Sequence, residues 1–246
     1  MPENPLLPNA KLKELYALMQ RVRALIPRSS AAPRFEAILA ATLMHVEPGD
    51  FVSPPLGTSV PALLATERTT PRKKSAPKNP PPPLPTRQRL ATVAGIAHGL
   101  KLSGAGRFAL YYTDAGPSTA RTEAGWDEAL AYAARAELPL LLVCADATGG
   151  RRIQNPQAIS WPSMAKLARQ LRFPILTVDG SDAVAVYRVM QESANRARLG
   201  DGIAVLWCVL PSPGDTSAST GPIRNLRRYL AARNLIPSAT SNRSPA

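Results

Sequence analysis

The sequence predicts an α/β protein whose mostly parallel sheet is covered by helices on both faces. Three observations predict it. Between residues 90 and 211, short aliphatic runs alternate with amphipathic stretches of a dozen residues or more. The runs Leu138–Ala145 and Ile203–Leu210 are apolar almost throughout rather than at alternate positions, so both faces of each must be covered. Glycine, proline and aspartate punctuate the junctions, as turns between such elements require.

The elements follow in order. Residues 10–26 set Leu12, Leu15, Tyr16, Met19, Val22 and Ile26 on one helical face, with Asn9 as N-cap and Pro27 as stop. Phe35–Val46 is a second helix, closed by Pro48-Gly49-Asp50. Residues 65–89 form a Pro/Lys/Arg linker in which Pro80–Pro83 favour polyproline II. Helix Ala91–Leu102, strand Arg107–Tyr112, helix Glu123–Ala136 and strand Leu138–Ala145 come next. Helix Pro162–Leu171, strand Pro174–Val178, helix Ser181–Leu199 and strand Ile203–Leu210 complete the series, with Asp182 in the first turn of its helix, where it suits the dipole. The expected organisation is a helical segment 1–64, the linker 65–89, an α/β domain 90–236 and a disordered tail 237–246.

Composition bounds the function. The formal charge is +13, much of it in Arg68, Arg72, Lys73, Lys74, Lys78, Arg87 and Arg89 of the linker and in Arg224, Arg227, Arg228 and Arg233, all read as flexible segments. No aromatic residues interleave with the basic run, so specific nucleic-acid binding is not expected. Cys144 and Cys208 lie in apolar runs without Cys-x-x-Cys spacing, which argues against a disulfide framework or a thiolate metal site. The first residues lack the charged and apolar regions of a signal peptide, and no apolar run approaches 18 residues, so neither a leader nor a membrane span is expected and the location is read as cytoplasmic.

Ligands of parallel sheets bind at the carboxyl ends of strands. Two aspartates fall there, in Tyr112-Thr113-Asp114-Ala115 and Cys144-Ala145-Asp146-Ala147. An oxygen ligand at each of two adjacent strand tips can hold a magnesium ion against a diphosphate. Asp114 is the candidate metal ligand, and Asp114 and Asp146 together are the candidate cofactor-binding residues. Gly200-Asp201-Gly202 is read as a helix C-cap instead. His45 and His98 sit at mid-helix positions among small or apolar residues and are not read as catalytic, and Trp126, Trp161 and Trp207 are read as packing.

Several blocks together resemble one family. They are Leu12–Val22; Phe35-Glu36-Ala37 with Glu47-Pro48-Gly49-Asp50-Phe51-Val52; Glu128-Ala129-Leu130-Ala131-Tyr132-Ala133-Ala134 with Leu138-Pro139-Leu140-Leu141; Val178-Asp179-Gly180-Ser181-Asp182 with Ala185-Val186-Tyr187; and Pro222-Ile223-Arg224 with Leu226-Arg227-Arg228-Tyr229-Leu230. In this order they resemble the alpha subunit of the thiamine-diphosphate-dependent decarboxylating component of 2-oxo acid dehydrogenase complexes, of the pyruvate and branched-chain types. The resemblance implies a three-layer thiamine-diphosphate-binding fold, thiamine diphosphate with magnesium as cofactors, and a beta-like partner subunit.

The family's functional residues are sparsely matched. Its Gly-Asp-Gly triplet stands here as Thr113-Asp114-Ala115, and its Asn-Asn pair as Asp146-Ala147. Its diphosphate-gripping Tyr-Arg pair lies opposite Leu56-Gly57-Thr58-Ser59, and its histidine-bearing glycine loop falls at Arg72–Pro85. The resemblance therefore implies a degenerate, non-catalytic or weakly active alpha-subunit homologue that acts through a beta-like partner. Two alternatives stand beside it: an active divergent subunit for 2-oxo acid decarboxylation with acyl transfer to a lipoyl group, and a basic scaffold that binds nucleic acid or an acidic surface through the linker.

Overall fold

The computed structural model describes residues 7–25, 35–53, 64–65, 88–116, 125–148, 158–211 and 221–237. In chain order the elements are α1 (Asn9–Leu25), α2 (Glu36–Leu43), β1 (Phe51–Ser53), α3 (Arg89–Ser103), β2 (Ala109–Asp114), α4 (Trp126–Arg135), β3 (Leu140–Asp146), α5 (Trp161–Leu171), β4 (Ile175–Asp179), α6 (Ala183–Leu199), β5 (Ala204–Val209) and α7 (Pro222–Ala232).

The five strands among the described residues are all parallel, in the order β1-β2-β3-β5-β4. The expected α/β class and parallel sheet are borne out. Side-chain alternation then divides the core in two. Leu110 and Tyr112 of β2, Leu141 and Val143 of β3, and Leu206 and Cys208 of β5 pack under α1, α2, α6 and α7. Ala109, Tyr111, Leu140, Leu142, Cys144, Val205 and Trp207 pack under α3, α4 and α5 on the opposite face.

Helix α2 is buried at every position from Glu36 to Leu43, so it is an inner helix rather than a surface one. The Glu36 carboxylate is paired with Arg23 of α1, and Thr42 Oγ1 donates back to the Ile38 carbonyl at 2.7 Å and meets the Tyr112 hydroxyl. Burial pushes that phenol well above its ordinary value, because an ion there would lose its hydration.

At the amino edge of the sheet, Asp50 joins three elements. Its Oδ1 accepts from Phe108 N at 3.1 Å and from Arg198 Nη1 at 3.0 Å, while Oδ2 accepts from Arg198 Nη2 at 2.7 Å. The same guanidinium reaches the carbonyls of Gly106 and His45, both at 3.0 Å. Asp50 thereby fixes β1 against β2 and the end of α6.

Several local expectations need correction. Phe51–Ser53 is an edge strand, although three residues are too few to display a period. Asn9 lies inside the first turn of α1 and its side-chain carbonyl has no hydrogen-bond partner, so it is not a side-chain cap. Asp182 is itself the N-cap of α6, its Oδ1 accepting from Val184 N at 2.9 Å and Ala185 N at 3.1 Å. His45 lies beyond the end of α2, its ring 4.3 Å from that of Tyr187. Arg224, Arg227 and Arg228 belong to a helix whose Leu226 and Leu230 are buried, and Arg233 stacks 4.8 Å from the Tyr229 ring. Arg89, read as the end of the linker, is the first residue of α3 and is buried. The segments Leu56–Ser59 and Arg72–Pro85 and the tail from residue 238 lie outside the described residues.

Candidate functional site

Three of the strands end in aspartate at the carboxyl edge: Asp114, Asp146 and Asp179. Asp146 and Asp179 use the same local device. In Asp179-Gly180-Ser181, Asp179 Oδ1 accepts from Ser181 N at 2.8 Å and Ser181 Oγ at 2.7 Å. In Asp146-Ala147-Thr148, Asp146 Oδ1 accepts from Thr148 N at 2.9 Å and Thr148 Oγ1 at 2.6 Å. A short carboxylate two residues before a free N–H closes a turn in this way and fixes where the chain leaves the strand.

Asp146 is further engaged on its other side. Its Oδ2 accepts from the indole Nε1 of Trp207 at 3.0 Å. Asp146 is 7% exposed and Trp207 only 1%, so this bond is sealed from water. Trp161 stands edge-on to Trp207, with ring centroids 5.6 Å apart. Both oxygens of the second candidate carboxylate are thus engaged by groups of its own chain.

Asp114 sits one register step away, paired with Ala145. Burial raises its carboxyl above the ordinary value of 3.8, and the positive charge of Arg89 pulls it back. Arg89, 3% exposed, donates from Nη2 to Tyr111 Oη at 2.9 Å and to the Tyr112 carbonyl at 3.0 Å, and its guanidinium carbon lies 4.3 Å from the Tyr111 ring centroid. The backbone is strand up to Asp114, and Gly116 two residues on has a φ of 140°. Thr113 pairs with Cys144, Ala115 N donates to the Ala145 carbonyl at 2.8 Å, and Gly116 N donates to the Ile159 carbonyl at 3.0 Å. Among the described residues a positive φ without glycine occurs at Glu137, Arg172 and Asn234, and so at neither Thr113 nor Ala115. Thr113 Oγ1 is buried with no hydrogen-bond partner.

The structure brings Asp114 and Asp146 to adjacent strand tips and leaves the other polar candidates elsewhere. His98 hydrogen-bonds Tyr132 across α3 and α4. Next to that pair a cleft of about 530 Å³ is lined by Gln88, Ala91, Ala94, Gly125, Glu128, Ala129 and Tyr132, and neither strand-tip aspartate lines it. Gly200 is the left-handed C-cap of α6, and Asp201 accepts from Arg196 at 3.1 Å, as a helix end requires. Trp126 and Trp207 are buried, whereas Trp161 is half-exposed. Cys144 lies beside the tips, its thiol pushed well above its ordinary value by burial first and then by the charge on Asp114, with smaller contributions from Cys208 and Asp146. Among the described residues no three His, Cys, Asp or Glu side chains are grouped as a metal site. No described helix is long and apolar enough to cross a membrane. Sequence reasoning missed Arg89, whose one available signal was its place at the start of an apolar helical pattern.

The family model for the dehydrogenase E1 component matches residues 82–209, more than half of the chain. The chain belongs to this family. The matched residues run from the approach to α3 to the end of β5 and contain both strand-tip aspartates. Among curated proteins, the pyruvate dehydrogenase E1 component subunit alpha of Staphylococcus epidermidis is 29% identical over 113 residues, 46% of this chain and 30% of that one. The subunit of the same name from Staphylococcus aureus is 29% identical over 109 residues, 44% of this chain and 29% of that one. The matches thus span under a third of these relatives' length. Among solved structures, transketolase from Campylobacter jejuni aligns with a TM-score of 0.47 at 13% identity, covering 89% of this chain and 39% of that one.

Proposed function

We propose that this chain is a non-catalytic or weakly active counterpart of the family's alpha subunit, kept for association with a beta-like partner in the cytoplasm. The observation that carries the proposal is the engagement of both Asp146 oxygens by Thr148 and Trp207. A magnesium ligand must offer an oxygen lone pair toward the ion in near-octahedral geometry. Asp146 Oδ1 already accepts two hydrogen bonds and Oδ2 one, which leaves a single free lone pair, on the oxygen that the buried indole holds in place. The strand pairing of Thr113 with Cys144 supports the same reading, because a backbone that cradles a diphosphate departs from ordinary strand geometry. These features favour a chain without a bound magnesium–thiamine diphosphate group, and no catalytic step is assigned to the described residues. Association uses buried apolar surface, which can persist when a site is lost.

The test is to purify the tagged chain with its partner from native cells and measure bound thiamine diphosphate by thiochrome fluorescence. A stable hetero-oligomer without cofactor is the expected result. Cofactor near one per complex, with turnover of a 2-oxo acid, would overturn the reading. That outcome would favour the active divergent subunit, for which the surviving Asp114 speaks, and Asp114→Ala should then abolish turnover.

A further inference from the structure

Resting on that reading, we infer that the outer face of α7, with α1 packed beside it, is a docking surface for an acidic protein. The partner of the proposed complex meets the chain there through carboxylates. Three observations converge. Helix α7 carries Arg224, Arg227 and Arg228 at i, i+3 and i+4, all exposed, and it contains no aspartate or glutamate. Helix α1, which packs against α7, adds exposed Lys11, Lys13 and Arg21, and Glu14 is its one acid. Among the described residues, Lys13, Arg227 and Arg228 take part in no ion pair. The first turns of α1 and α7 each hold a cation, Lys11 and Arg224, and no acid, although the dipole there favours negative charge. Helices α2 and α4 do begin with acids, Glu36 in one and Asp127 with Glu128 in the other.

Like charges gathered in this way destabilise the free chain, and an external array of anions relieves them. Chemistry selects the occupant. A lipid surface is met by the apolar side of a helix, and Leu226 and Leu230 of α7 are turned into the core. A nucleic-acid backbone is held by lysine and arginine alike, whereas arginine is enriched and lysine depleted where proteins meet. Every cation of α7 is an arginine, whose planar fork grips a carboxylate through two parallel bonds. A folded helix holds these groups at fixed spacing, so it selects carboxylates presented at a matching spacing, and the charge steers the encounter.

Fluorescein-labelled poly-glutamate is the probe, a labelled DNA duplex of matched charge is the control, and anisotropy with the full chain at low salt is the readout. Arg227→Glu/Arg228→Glu should weaken poly-glutamate binding about tenfold or more, because juxtaposed like charges repel strongly at an interface. Lys73→Glu/Lys74→Glu, in the basic run that precedes α3, should weaken it less, and the duplex should respond less than poly-glutamate to the α7 change. In the complex from native cells, the α7 change should release the beta-like partner. Unchanged poly-glutamate binding by the α7 variant would overturn the inference, as would an equal loss in the Lys73/Lys74 variant. A larger loss for the duplex would also overturn it, by making the ligand a nucleic acid. Both arginines are exposed, so the variant should fold; should its circular dichroism differ from wild type, Arg227→Gln/Arg228→Gln takes its place under the same criteria. A cofactor-loaded, active complex refutes the proposed function, whereas a partner retained by the α7 variant in a cofactor-free complex refutes only the docking surface.

Discussion

Replacing Asp146 with alanine separates a structural aspartate from a cofactor ligand. Its Oδ1 serves Thr148 N and Oγ1, which are part-buried and can turn to water when the carboxylate goes. Its Oδ2 serves Trp207 Nε1, which is sealed in the core. An indole N–H stranded there costs about 1–3 kcal/mol, and the void left by the carboxyl group adds about 1 kcal/mol. The expected loss is therefore about 2–4 kcal/mol, a large part of a domain stability of about 5–15 kcal/mol. Trp207→Phe strands the carboxylate oxygen instead and should cost a similar amount. In the double variant both partners are gone, so its loss should fall short of the sum of the two by about 1–2 kcal/mol. Urea unfolding followed by far-ultraviolet circular dichroism measures all three. Additivity within about 0.5 kcal/mol would refute the reasoning, because it would mean that the bond does not couple β3 to β5. An Asp146→Ala chain as stable as wild type would refute it more directly.

Two further predictions concern the frame around the site. Asp50→Ala removes the nearer of Arg198's two carboxylate partners, Glu47 staying at 3.6 Å, and should destabilise the chain by about 1–3 kcal/mol in urea unfolding, with Asp50→Ala/Arg198→Met less damaged than the single change; equal losses would show that the pair is not coupled. The buried thiol of Cys208 is raised from its ordinary 9.0 to about 12 and that of Cys144 is raised as well, so the folded state holds these protons more tightly than the unfolded one. Their contribution to stability is full below pH 9 and is lost as pH rises toward 12. Both thiols should resist Ellman's reagent at pH 8 until the chain unfolds, and rapid reaction of the native chain would contradict their burial.

The parallel sheet was legible because strands buried on both faces must be apolar at nearly every position, and β3 and β5 are. Their starts were read one or two residues early because Leu138, Pro139 and Ile203 extend the apolar runs ahead of the paired residues, and Leu210 carried the second run one residue too far. Strand β1 was not legible: its three residues are held by pairing to Ala109, Leu110 and Tyr111, which lie far along the chain. At the site, the sequence placed both aspartates at strand tips. It could not reveal that Trp207, 61 residues beyond Asp146, would take one oxygen, since that contact exists only once β5 lies beside β3. Arg89 was hidden for a related reason. A lone arginine after a basic, proline-rich run looks solvated until Tyr111 and Tyr112 arrive from β2.

The complete enclosure of α2 has a consequence during synthesis. Its coverings on the far side, Val186 and Met190 of α6 and Leu226 and Leu230 of α7, are made more than a hundred residues later. Until they emerge from the ribosome, an eight-residue helix with almost no polar surface waits without its lid, the state in which nascent chains aggregate or recruit chaperones. The same dependence means that the family-matched stretch 82–209, expressed by itself, would keep only α6 over one sheet face and lose the cover of α1, α2 and α7. Helices α1 and α2 and helix α7 are therefore folding partners, and neither group can be removed without exposing what the other conceals.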